Sequence, residues 1–129
     1  MDHFPIFLST DTARIIVSGG GDAALAKLRL LMKSRAKITV FAAEAAPEIA
    51  QWHEAGRLTL VSRAMDYGDA VCAKLFYGAN EDATEDARTA HLARSCGALI
   101  NIVDNLEDSQ FITPAIVDRD PVTIAIGTE

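Results

Sequence analysis

The chain has 129 residues, of which half are hydrophobic and 23% are charged, and its formal net charge is −6. This length and composition predict one soluble globular domain that can bury a core, and the negative charge without a basic stripe argues against nucleic acid as a partner. No apolar run approaches the ~20 residues that span a bilayer, so no membrane partner is expected. Acids and a proline stand where a signal peptide needs a basic and then an apolar segment, which predicts a cytoplasmic protein.

The first patterned stretch of the chain is a β-turn-α-β unit with three glycines in its turn. A strand candidate at residues 15–17 runs into the glycines, and a segment with helical periodicity leads to a second strand candidate at residues 37–41. Gly19, Gly21 and Ala24 meet the pattern G-x-G-x-x-A, in which a turn without side chains lets a pyrophosphate approach the N-terminus of the next helix. Glycine turns also occur without a ligand, but the strand–turn–helix–strand context favours dinucleotide binding.

The helix after this turn is predicted to be amphipathic. Its apolar positions recur at helical spacing and should face the core, and its cationic positions should point elsewhere. The apolar set is Ala24, Leu25, Leu28, Leu31 and Met32, and the cationic set is Lys27, Arg29, Lys33 and Arg35.

Further strand and helix candidates alternate along the chain. Strand candidates follow at residues 58–62, 74–79, 99–103, 111–117 and 122–126, and helix candidates lie at 47–55, 68–72 and 83–96. This alternation predicts an α/β fold, a Rossmann-like parallel sheet with helices on both faces. Gly56 and Gly97 are predicted to end two of the helices.

The last two strand candidates differ from the others. Only residues 118–121 separate them, which is too short for a helical crossover, so they should pair as a hairpin or splay into different sheets. We therefore predict one NAD-binding domain over residues 1–129, with a Rossmann core at 1–104 and a C-terminal β extension at 105–129. The chain ends soon after a strand, so we expect it to be a piece of a longer protein.

The cysteines and histidines give no sign of a metal centre. Cys72 and Cys96 lie far apart and have no CxxC partner, so we expect reduced, buried packing residues. His3, His53 and His91 form no metal-ligand spacing and are interpreted as surface or partly packed residues.

Four loops follow the carboxyl ends of the predicted parallel strands, where open α/β sheets bind their ligands. In the first loop, the glycine turn, Asp22 can either contact the ligand or cap the helix. The second loop offers Ala43 and Glu44 to the adenosine ribose, although Glu44 comes late and could simply be solvated. No Arg or Lys stands beside them to clamp a 2′-phosphate, which favours NAD over NADP.

The third loop begins with the small residues Gly78 and Ala79, past which a ribose or nicotinamide could lie. Asn80 is expected to cap the following helix. Acids then crowd the first turns of that helix, where they complement the helix dipole, so we interpret them as a solvated face without a catalytic role. These acids are Glu81, Asp82, Glu85 and Asp86.

The fourth loop spans residues 101–105 and carries Asp104 directly after an apolar strand. This position is where a nicotinamide ring would lie, and a carboxylate there can accept a proton while a hydride leaves to the cofactor. The alternative is that Asp104 only caps a loop or turn.

Several segments of the chain resemble a known family. The opening MDHFPIF, the turn VSGGGDAALAK, the segment GANEDA and the stretch NIVDNLEDSQFITPAIVDRDPVTIAI, with their spacing, are similar to the N-terminal domain of siroheme synthase. Its stand-alone relatives are the precorrin-2 dehydrogenase/sirohydrochlorin ferrochelatases. The resemblance covers essentially the whole chain, and the pattern NxVD…FxxPAxxxR is more specific than the glycine motif. Two departures are Asn80-Glu81, where the family usually has Thr-Asp or Thr-Asn, and Ser18, where it usually has valine or glycine.

The resemblance implies NAD-dependent oxidation of precorrin-2 to sirohydrochlorin, followed by insertion of Fe²⁺ to give siroheme. It implies that Asp104 is the general base and a transient iron contact during chelation. It also implies that Asp22 and Ala23 lie on the phosphate side of the cofactor, and Ala43 and Glu44 on its ribose side. The full set of expected NAD-binding residues is Gly19, Gly20, Gly21, Asp22, Ala23, Ala43, Glu44, Ala79 and Asn80.

The tetrapyrrole substrate implied by the resemblance is a polycarboxylate and needs local cations. Arg119 is the candidate, with a surface pair to Asp118 or Asp120 as the alternative, and Asn101 is a second predicted substrate-binding residue. The family also implies a homodimer, formed by a region beyond Glu129, and a methyltransferase domain that can be fused to it. A different function class stays open, namely a non-catalytic sensor domain that regulates an attached protein through NAD occupancy.

Overall fold

A five-stranded parallel sheet carries the fold in the computed structural model, which describes residues 1–127; residues 128 and 129, the end of the predicted β extension, lie outside the described residues. The elements in chain order are β1 (Arg14–Ser18), α1 (Asp22–Leu31), β2 (Lys37–Phe41), α2 (Pro47–Glu54), β3 (Thr59–Val61), β4 (Ala73–Gly78), α3 (Ala83–Ser95), β5 (Leu99–Ile102), β6 (Ala115–Arg119) and β7 (Val122–Ile126).

The strand order is β3-β2-β1-β4-β5, and all four pairings within this sheet are parallel. β6 and β7 form a separate antiparallel hairpin. The predicted Rossmann-like sheet with a C-terminal β appendage is therefore confirmed, and of the two arrangements left open for the last strands the hairpin is the one formed.

Two hydrophobic clusters cover the two faces of the sheet. One cluster joins the inner face of α1 to Ile15, Val17 and Tyr77, and Ile49 of α2 packs into it. The other joins α3 to Ile16, Phe76 and Ile100. Alternate residues of β1 therefore point to opposite layers, as the pleat of a strand buried on both faces requires.

The buried face of α1, the start of α2 and the ends of α2 and α3 agree with the local sequence. The apolar face of α1 is buried at Ala24, Leu25, Leu28 and Leu31. Pro47 stands in the first turn of α2, where its missing N–H leaves no unmade helical bond. Gly56 and Gly97 adopt φ values of +73° and +88° just beyond α2 and α3, confirming both predicted helix ends.

The predicted short helix at residues 68–72 is wrong. Gly68 and Cys72 both have positive φ, and the residues between them are too few for one helical turn. The segment is a surface loop, and Arg14 Nη1 donates hydrogen bonds to its Asp69 and Val71 carbonyl oxygens. Cys72 is consequently exposed rather than buried, whereas Cys96 is partly buried against the α3 cluster, and both thiols are free.

Residues 111–114 are not strand, contrary to the prediction of a strand over 111–117. Phe111 packs edge-on against Tyr77, with ring centroids 5.4 Å apart, so this segment crosses the α1 face of the sheet before β6 begins. Contact with the core replaces strand pairing there.

Residues 109 and 110 run along the outer edge of β5. Gln110 N donates to the Ile100 carbonyl at 2.7 Å, and the side-chain oxygen of Gln110 accepts from Ile100 N at 3.0 Å. Ser109 Oγ accepts from Ile102 N at 2.9 Å. Side chains therefore satisfy backbone donors that a sixth strand would otherwise meet.

None of the helices within residues 1–127 has the length and apolar character needed to cross a membrane.

Candidate functional site

Four strand ends meet at one edge of the sheet. Ser18 pairs with Phe41 on one side and with Gly78 on the other, and Gly78 pairs with Ile102. The strand order reverses between β1 and β4, and open α/β sheets bind ligands in the crevice at such a reversal. The loops after β1, β2, β4 and β5, which carry most of the predicted site residues, therefore line one crevice.

The first two glycines of the turn are required by neighbouring backbone. Gly19 has a φ of +133°, and any Cβ there would collide with the carbonyl of Ala79. A Cβ on Gly20 would meet the carbonyl of Glu44 and the Cα of Ala45. The amide of Gly19 donates to the Phe41 carbonyl at 2.9 Å, and the carbonyl of Gly20 accepts from Ala46 N at 2.8 Å.

The third glycine faces open space apart from one flexible side chain. The nearest atom to an ideal Cβ on Gly21 is Glu81 Oε2 at 2.6 Å, and no backbone atom lies within 4 Å. Gly21 is the N-cap of α1, and no side chain caps the helix. The helix therefore presents first-turn N–H groups without intrahelical partners, which suits the phosphates of a dinucleotide.

Asp22 does not cap α1. It is the first residue of the helix, and the cap position belongs to Gly21, whose lack of a side chain keeps the helix N-terminus open. Asp22 is exposed and Ala23 is partly buried in the first turn, so both predicted phosphate-side residues do lie beside the glycine turn.

Asn80 does not cap α3 either. That role belongs to Asp82, whose Oδ1 accepts from Thr84 N at 3.0 Å and from Glu85 N at 3.1 Å. Asn80 instead turns inward, and its Nδ2 donates to Ser18 Oγ at 3.1 Å. The polar side chain at the end of β1, a departure from the family pattern, thus has its partner in Asn80.

The acid cluster on α3 is only partly a solvated face. Asp86 is 7% exposed, and its Oδ1 accepts from both the backbone N and the Nδ2 of Asn80, each at 2.9 Å. The interpretation of Asp86 as solvated is therefore wrong, because the residue lies on the inner side of α3. It fixes the loop after β4 against the glycine turn.

The loop after β2 carries the predicted ribose-side residues. Ala43 and Glu44 are exposed, and the Glu44 carbonyl contacts Gly20. A cation that sequence analysis did not single out lies nearby, since the Arg63 guanidinium stacks 5.5 Å from the centroid of the Phe41 ring at the end of β2.

Arg63 is already paired with a carboxylate. Its two Nη atoms donate to the two carboxylate oxygens of Asp69 at 2.7 and 3.0 Å. That hydrogen bond is the main cause that holds the pKa of Asp69 below its usual value. Arg63 therefore reaches the end of β2 with its charge committed elsewhere.

Asp104 stands at the apex of a tight turn after β5. Its φ is +61°, a left-handed conformation that Asp and Asn tolerate better than other non-glycine residues. Asn105 N donates to the Ile102 carbonyl at 3.0 Å, and Val103 N donates to the Gly78 carbonyl at 2.9 Å. The turn thus holds Asp104 exposed beside the end of β4, and the alternative of a turn residue and that of a reactive carboxylate are both compatible with this geometry.

Ser109 secures this turn and was not singled out by sequence analysis. Its Oγ donates to the Asn105 carbonyl at 2.7 Å while it accepts from Ile102 N. Asn105 and Asp108 add a second link, since Asn105 Nδ2 donates to Asp108 Oδ2 at 2.8 Å. Asn, Asp and Ser within five residues are typical of turns held by side-chain-to-backbone hydrogen bonds. This pattern could have predicted the role of Ser109 from the sequence.

A cavity of about 380 Å³ opens beside Asp104. Asn101 lines it from β5, but the Asn101 Nδ2 already donates to the Phe111 carbonyl at 2.9 Å and so fixes the segment that forms the far wall. Lys27 of α1 reaches the same cavity. The predicted residues Asn101 and Asp104 are therefore brought together, and Lys27 joins them from the polar face of α1.

Arg119 does not reach this cavity. It lies on β6 and lines a separate cavity of about 440 Å³ between the hairpin, α1 and the sheet. Its Nη1 donates to the backbone carbonyl of Asp118 at 3.1 Å. The long loop between β5 and β6 places Arg119 on the far side of residues 111–114. Asp104 and Arg119 are close in sequence, but this closeness does not bring them to one cavity.

Within residues 1–127 no three His, Cys, Asp or Glu side chains cluster as ligands for a metal ion. Asp104 is the predicted iron contact, and it stands in its cavity among amide, hydroxyl and ammonium groups.

Comparisons with known proteins agree with this geometry. A siroheme synthase from Pseudoalteromonas atlantica is 37% identical over 128 residues, and one from Chromobacterium violaceum is 40% identical over 131 residues; each match covers 99% of this chain. The chain spans little more than a quarter of these relatives, 28% and 27% of their lengths. The resemblance to siroheme synthases is thereby confirmed.

A solved precorrin-2 dehydrogenase, SirC, superposes with a TM-score of 0.82 over 98% of this chain and 62% of its own, at 22% sequence identity. At that identity the likeness shows a shared fold. A family model described as "Putative NAD(P)-binding" matches residues 6–115. The matched residues include the glycine turn, and the chain belongs to this NAD(P)-binding family.

Proposed function

We propose that this chain is the oxidoreductase module of a siroheme-forming enzyme, which uses NAD to oxidise precorrin-2 to sirohydrochlorin. The observation that carries the proposal is the placement of Asp104 in a cavity that adjoins the dinucleotide crevice. The siroheme synthases that match 99% of the chain support the same activity.

The residues at the crevice have separate tasks in this reaction. The open N-terminus of α1 beside Gly21 binds the pyrophosphate, and NAD supplies the hydride acceptor. Asp104 takes the proton that precorrin-2 releases as its hydride departs, so that one hydride and one proton leave the macrocycle together. The turn that fixes Asp104 holds the carboxylate ready for this transfer without a rearrangement of the backbone.

The same carboxylate serves a second step in the proposal. When Fe²⁺ enters sirohydrochlorin, two pyrrole N–H protons must leave as the metal binds to the ring nitrogens. Asp104, which is exposed, accepts the first proton and passes it to water before it accepts the second. Fe²⁺ is therefore a substrate here. Among the residues that line the cavity, Asp104 supplies the carboxylate.

NAD rather than NADP is the proposed cofactor. The loop after β2 presents Ala43 and the acidic Glu44, and the neighbouring cation, Arg63, is held by both oxygens of Asp69. A 2′-phosphate would thus meet a carboxylate and no free guanidinium, which disfavours NADP.

The test is to supply the full-length natural protein with precorrin-2 and NAD and to follow NADH formation. Asp104→Asn is the sharpest variant, because Asn keeps the left-handed turn and the shape of the side chain but removes the base. We expect kcat to fall about 100-fold or more, in line with general-base contributions, with an unchanged Kd for NAD. Asp11→Asn, an exposed residue before β1, is the matched control.

Turnover at the wild-type rate in Asp104→Asn would contradict the assignment of Asp104 as the general base. NAD binding without any precorrin-2 oxidation by the wild-type protein would favour the other function class, a sensor domain that reports NAD occupancy. Titration of NAD and NADP against the same protein tests the cofactor preference, and tighter binding of NADP would contradict it.

A further inference from the structure

Lys27 is a half-buried cation that the dinucleotide site does not use. It lies in the second turn of α1, past the first-turn amides at which the phosphates are expected. Its Nζ stands 5.9 Å from the centroid of the Tyr77 ring, and its side chain lines the cavity that contains Asp104. The lysine is therefore directed toward the carboxyl ends of β4 and β5.

The charge of Lys27 lacks a carboxylate partner among the described residues. The ion pairs between side chains of the described residues join Arg29 to Glu48, Arg63 to Asp69 and Arg88 to Glu85. Arg29, two positions further along the same helix, is paired across to α2, whereas no such pair holds Lys27. Asp104 lines the same cavity, but no ion pair joins its carboxylate to Lys27. The half-buried ammonium group is therefore open to a negatively charged group of a ligand.

The walls of the cavity favour a ligand that is partly apolar and carries negative charge. Its walls combine Ile102, Leu106 and Ile112 with the polar side chains of Asn101 and Ser109, and Lys27 is the cation that reaches it. A tetrapyrrole with carboxylate side arms has this combination of an extended apolar ring and peripheral negative charge. The dinucleotide phosphates, by contrast, are expected one helical turn earlier, beside Gly21.

We propose that Lys27 is a substrate-binding residue whose ammonium group pairs with a carboxylate of the tetrapyrrole in the Asp104 cavity. The proposal rests on the proposed function for the identity of the substrate. The cation that binds the substrate is thus placed on α1. The sequence predicted Arg119 for this role, but Arg119 lines a different cavity. The ammonium group of Lys27 lies over the Tyr77 ring, and in the proposal its charge fixes one side of the substrate while Asp104 faces the ring.

The test compares Lys27→Met and Lys27→Arg with a matched control, Lys37→Met, in the full-length natural protein. Methionine keeps an unbranched side chain but removes the charge, and arginine keeps the charge. Lys37 is exposed at the start of β2, at the amino ends of the strands and so away from the crevice. The measurements are KM for precorrin-2, kcat, Kd for NAD and the thermal midpoint of unfolding.

We expect Lys27→Met to raise the KM for precorrin-2 about tenfold or more, as loss of a charge-assisted hydrogen bond does. The Kd for NAD and the thermal midpoint should stay at wild-type values, Lys27→Arg should recover most of the affinity, and Lys37→Met should behave as wild type. The KM of the wild type should also rise with salt more steeply than that of Lys27→Met.

Three results would overturn the proposal. A KM for precorrin-2 within twofold of wild type in Lys27→Met would show that the charge does not contact substrate. An equal loss of NAD affinity would assign Lys27 to the dinucleotide, and a lowered thermal midpoint with a failure of Lys27→Arg to restore KM would assign it to packing.

Failure of the proposed function is separable from failure of this inference. If the wild type binds sirohydrochlorin but oxidises no precorrin-2, direct titration of sirohydrochlorin by absorbance still reads the contact. Weaker binding by Lys27→Met than by Lys37→Met would then support the role of Lys27. Equal binding by the two variants, or no binding by the wild type, would reject it.

Discussion

The two ends of the crevice are held by different kinds of atoms. At the glycine turn, backbone meets backbone: Gly19 packs against the Ala79 carbonyl and Gly20 against the loop after β2. At the Asp104 end, side chains add to the backbone hydrogen bonds of the turn: Ser109 Oγ donates to the Asn105 carbonyl and Asn101 Nδ2 donates to the Phe111 carbonyl. A site built from backbone contacts admits few residue changes, whereas a site fastened by side chains can be altered one residue at a time.

This difference separates a shared property from a particular one. The backbone-built end offers amides to any dinucleotide, as the common features of NAD(P)-binding folds do. The end fastened by side chains sets the shape of the cavity and the position of its carboxylate. Changes at the first end should therefore cost the fold and the cofactor together, and changes at the second should cost local order and the reaction while the sheet persists.

The largest effect is expected from Gly19→Ala. Its Cβ would collide with the Ala79 carbonyl, and its φ of +133° is strained for any L residue. We expect the free energy of unfolding to fall by about 3 kcal/mol or more, since overpacking and backbone strain add. Urea unfolding measures the loss, and NAD titration should show that binding falls with it.

Gly56→Ala is the control for this variant. Gly56 also has positive φ, at +73°, but no atom lies within 4 Å of its Cβ position. It should lose about 1 kcal/mol, the cost of the left-handed conformation alone. Equal losses in the two variants would contradict the claim that backbone packing sets the requirement at Gly19.

A smaller effect is expected at the other end from Tyr77→Phe. The Tyr77 hydroxyl and Thr113 Oγ1 share a hydrogen bond of 2.9 Å, and its loss should lower the free energy of unfolding by about 1 kcal/mol. Tyr67→Phe is the matched control, because Tyr67 is 87% exposed. A KM for precorrin-2 that rises in Tyr77→Phe, with the Kd for NAD unchanged, would place the effect on the cavity wall.

The same variant tests a dependence on pH. Burial raises the pKa of Tyr77 above its ordinary value of 10.0, and the bond to Thr113 offsets only part of this rise. The unfolded chain therefore loses the phenolic proton first as pH rises, so the stabilisation is complete below about pH 10 and declines between the unfolded and folded pKa values. The free energy of unfolding of the wild type should fall more steeply above pH 10 than that of Tyr77→Phe.

The smallest effect is expected from Glu81→Gln. The Glu81 carboxylate lies beside Gly21, where the phosphates of the dinucleotide are expected, and Glu81 itself has a φ of +57°. Removal of this negative charge should tighten NAD binding by about two- to fivefold at low salt, with less effect at high salt, because exposed charges are screened. Calorimetric titration measures the change, with exposed Glu54 of α2 as the Glu→Gln control; weaker binding would instead indicate a contact from Glu81 to the dinucleotide.

Local patterns in the sequence are enough to predict the sheet, the glycine turn and the buried face of α1. Each depends on periodicity or on the steric properties of glycine, which act within a few residues. The side of α3 on which Asp86 lies depends instead on how that helix packs on the sheet, and its polar inner residues give little apolar contrast. Asp86 therefore looked like one more exposed acid, although its partner Asn80 is only six positions away.

The same limit explains Lys27 and Arg119. On the helix surface Lys27 looked equivalent to Arg29, and only the path of residues 105–114 over the α1 face makes the two cations different. Arg119 is close to Asp104 in sequence, but the chain crosses the sheet between them. Long-range packing of an irregular segment decides both positions, and no short-range pattern encodes it.

The covered edge of β5 also bears on how the protein behaves at high concentration. An exposed parallel edge offers a row of amides and carbonyls to which a strand of another molecule can add, and this is a common start of aggregation. Here Gln110 and Ser109 bond that row from within the chain. One amide side chain and one hydroxyl therefore protect the β5 edge from strand exchange between molecules, and they do so without the lysine or proline that edges usually carry.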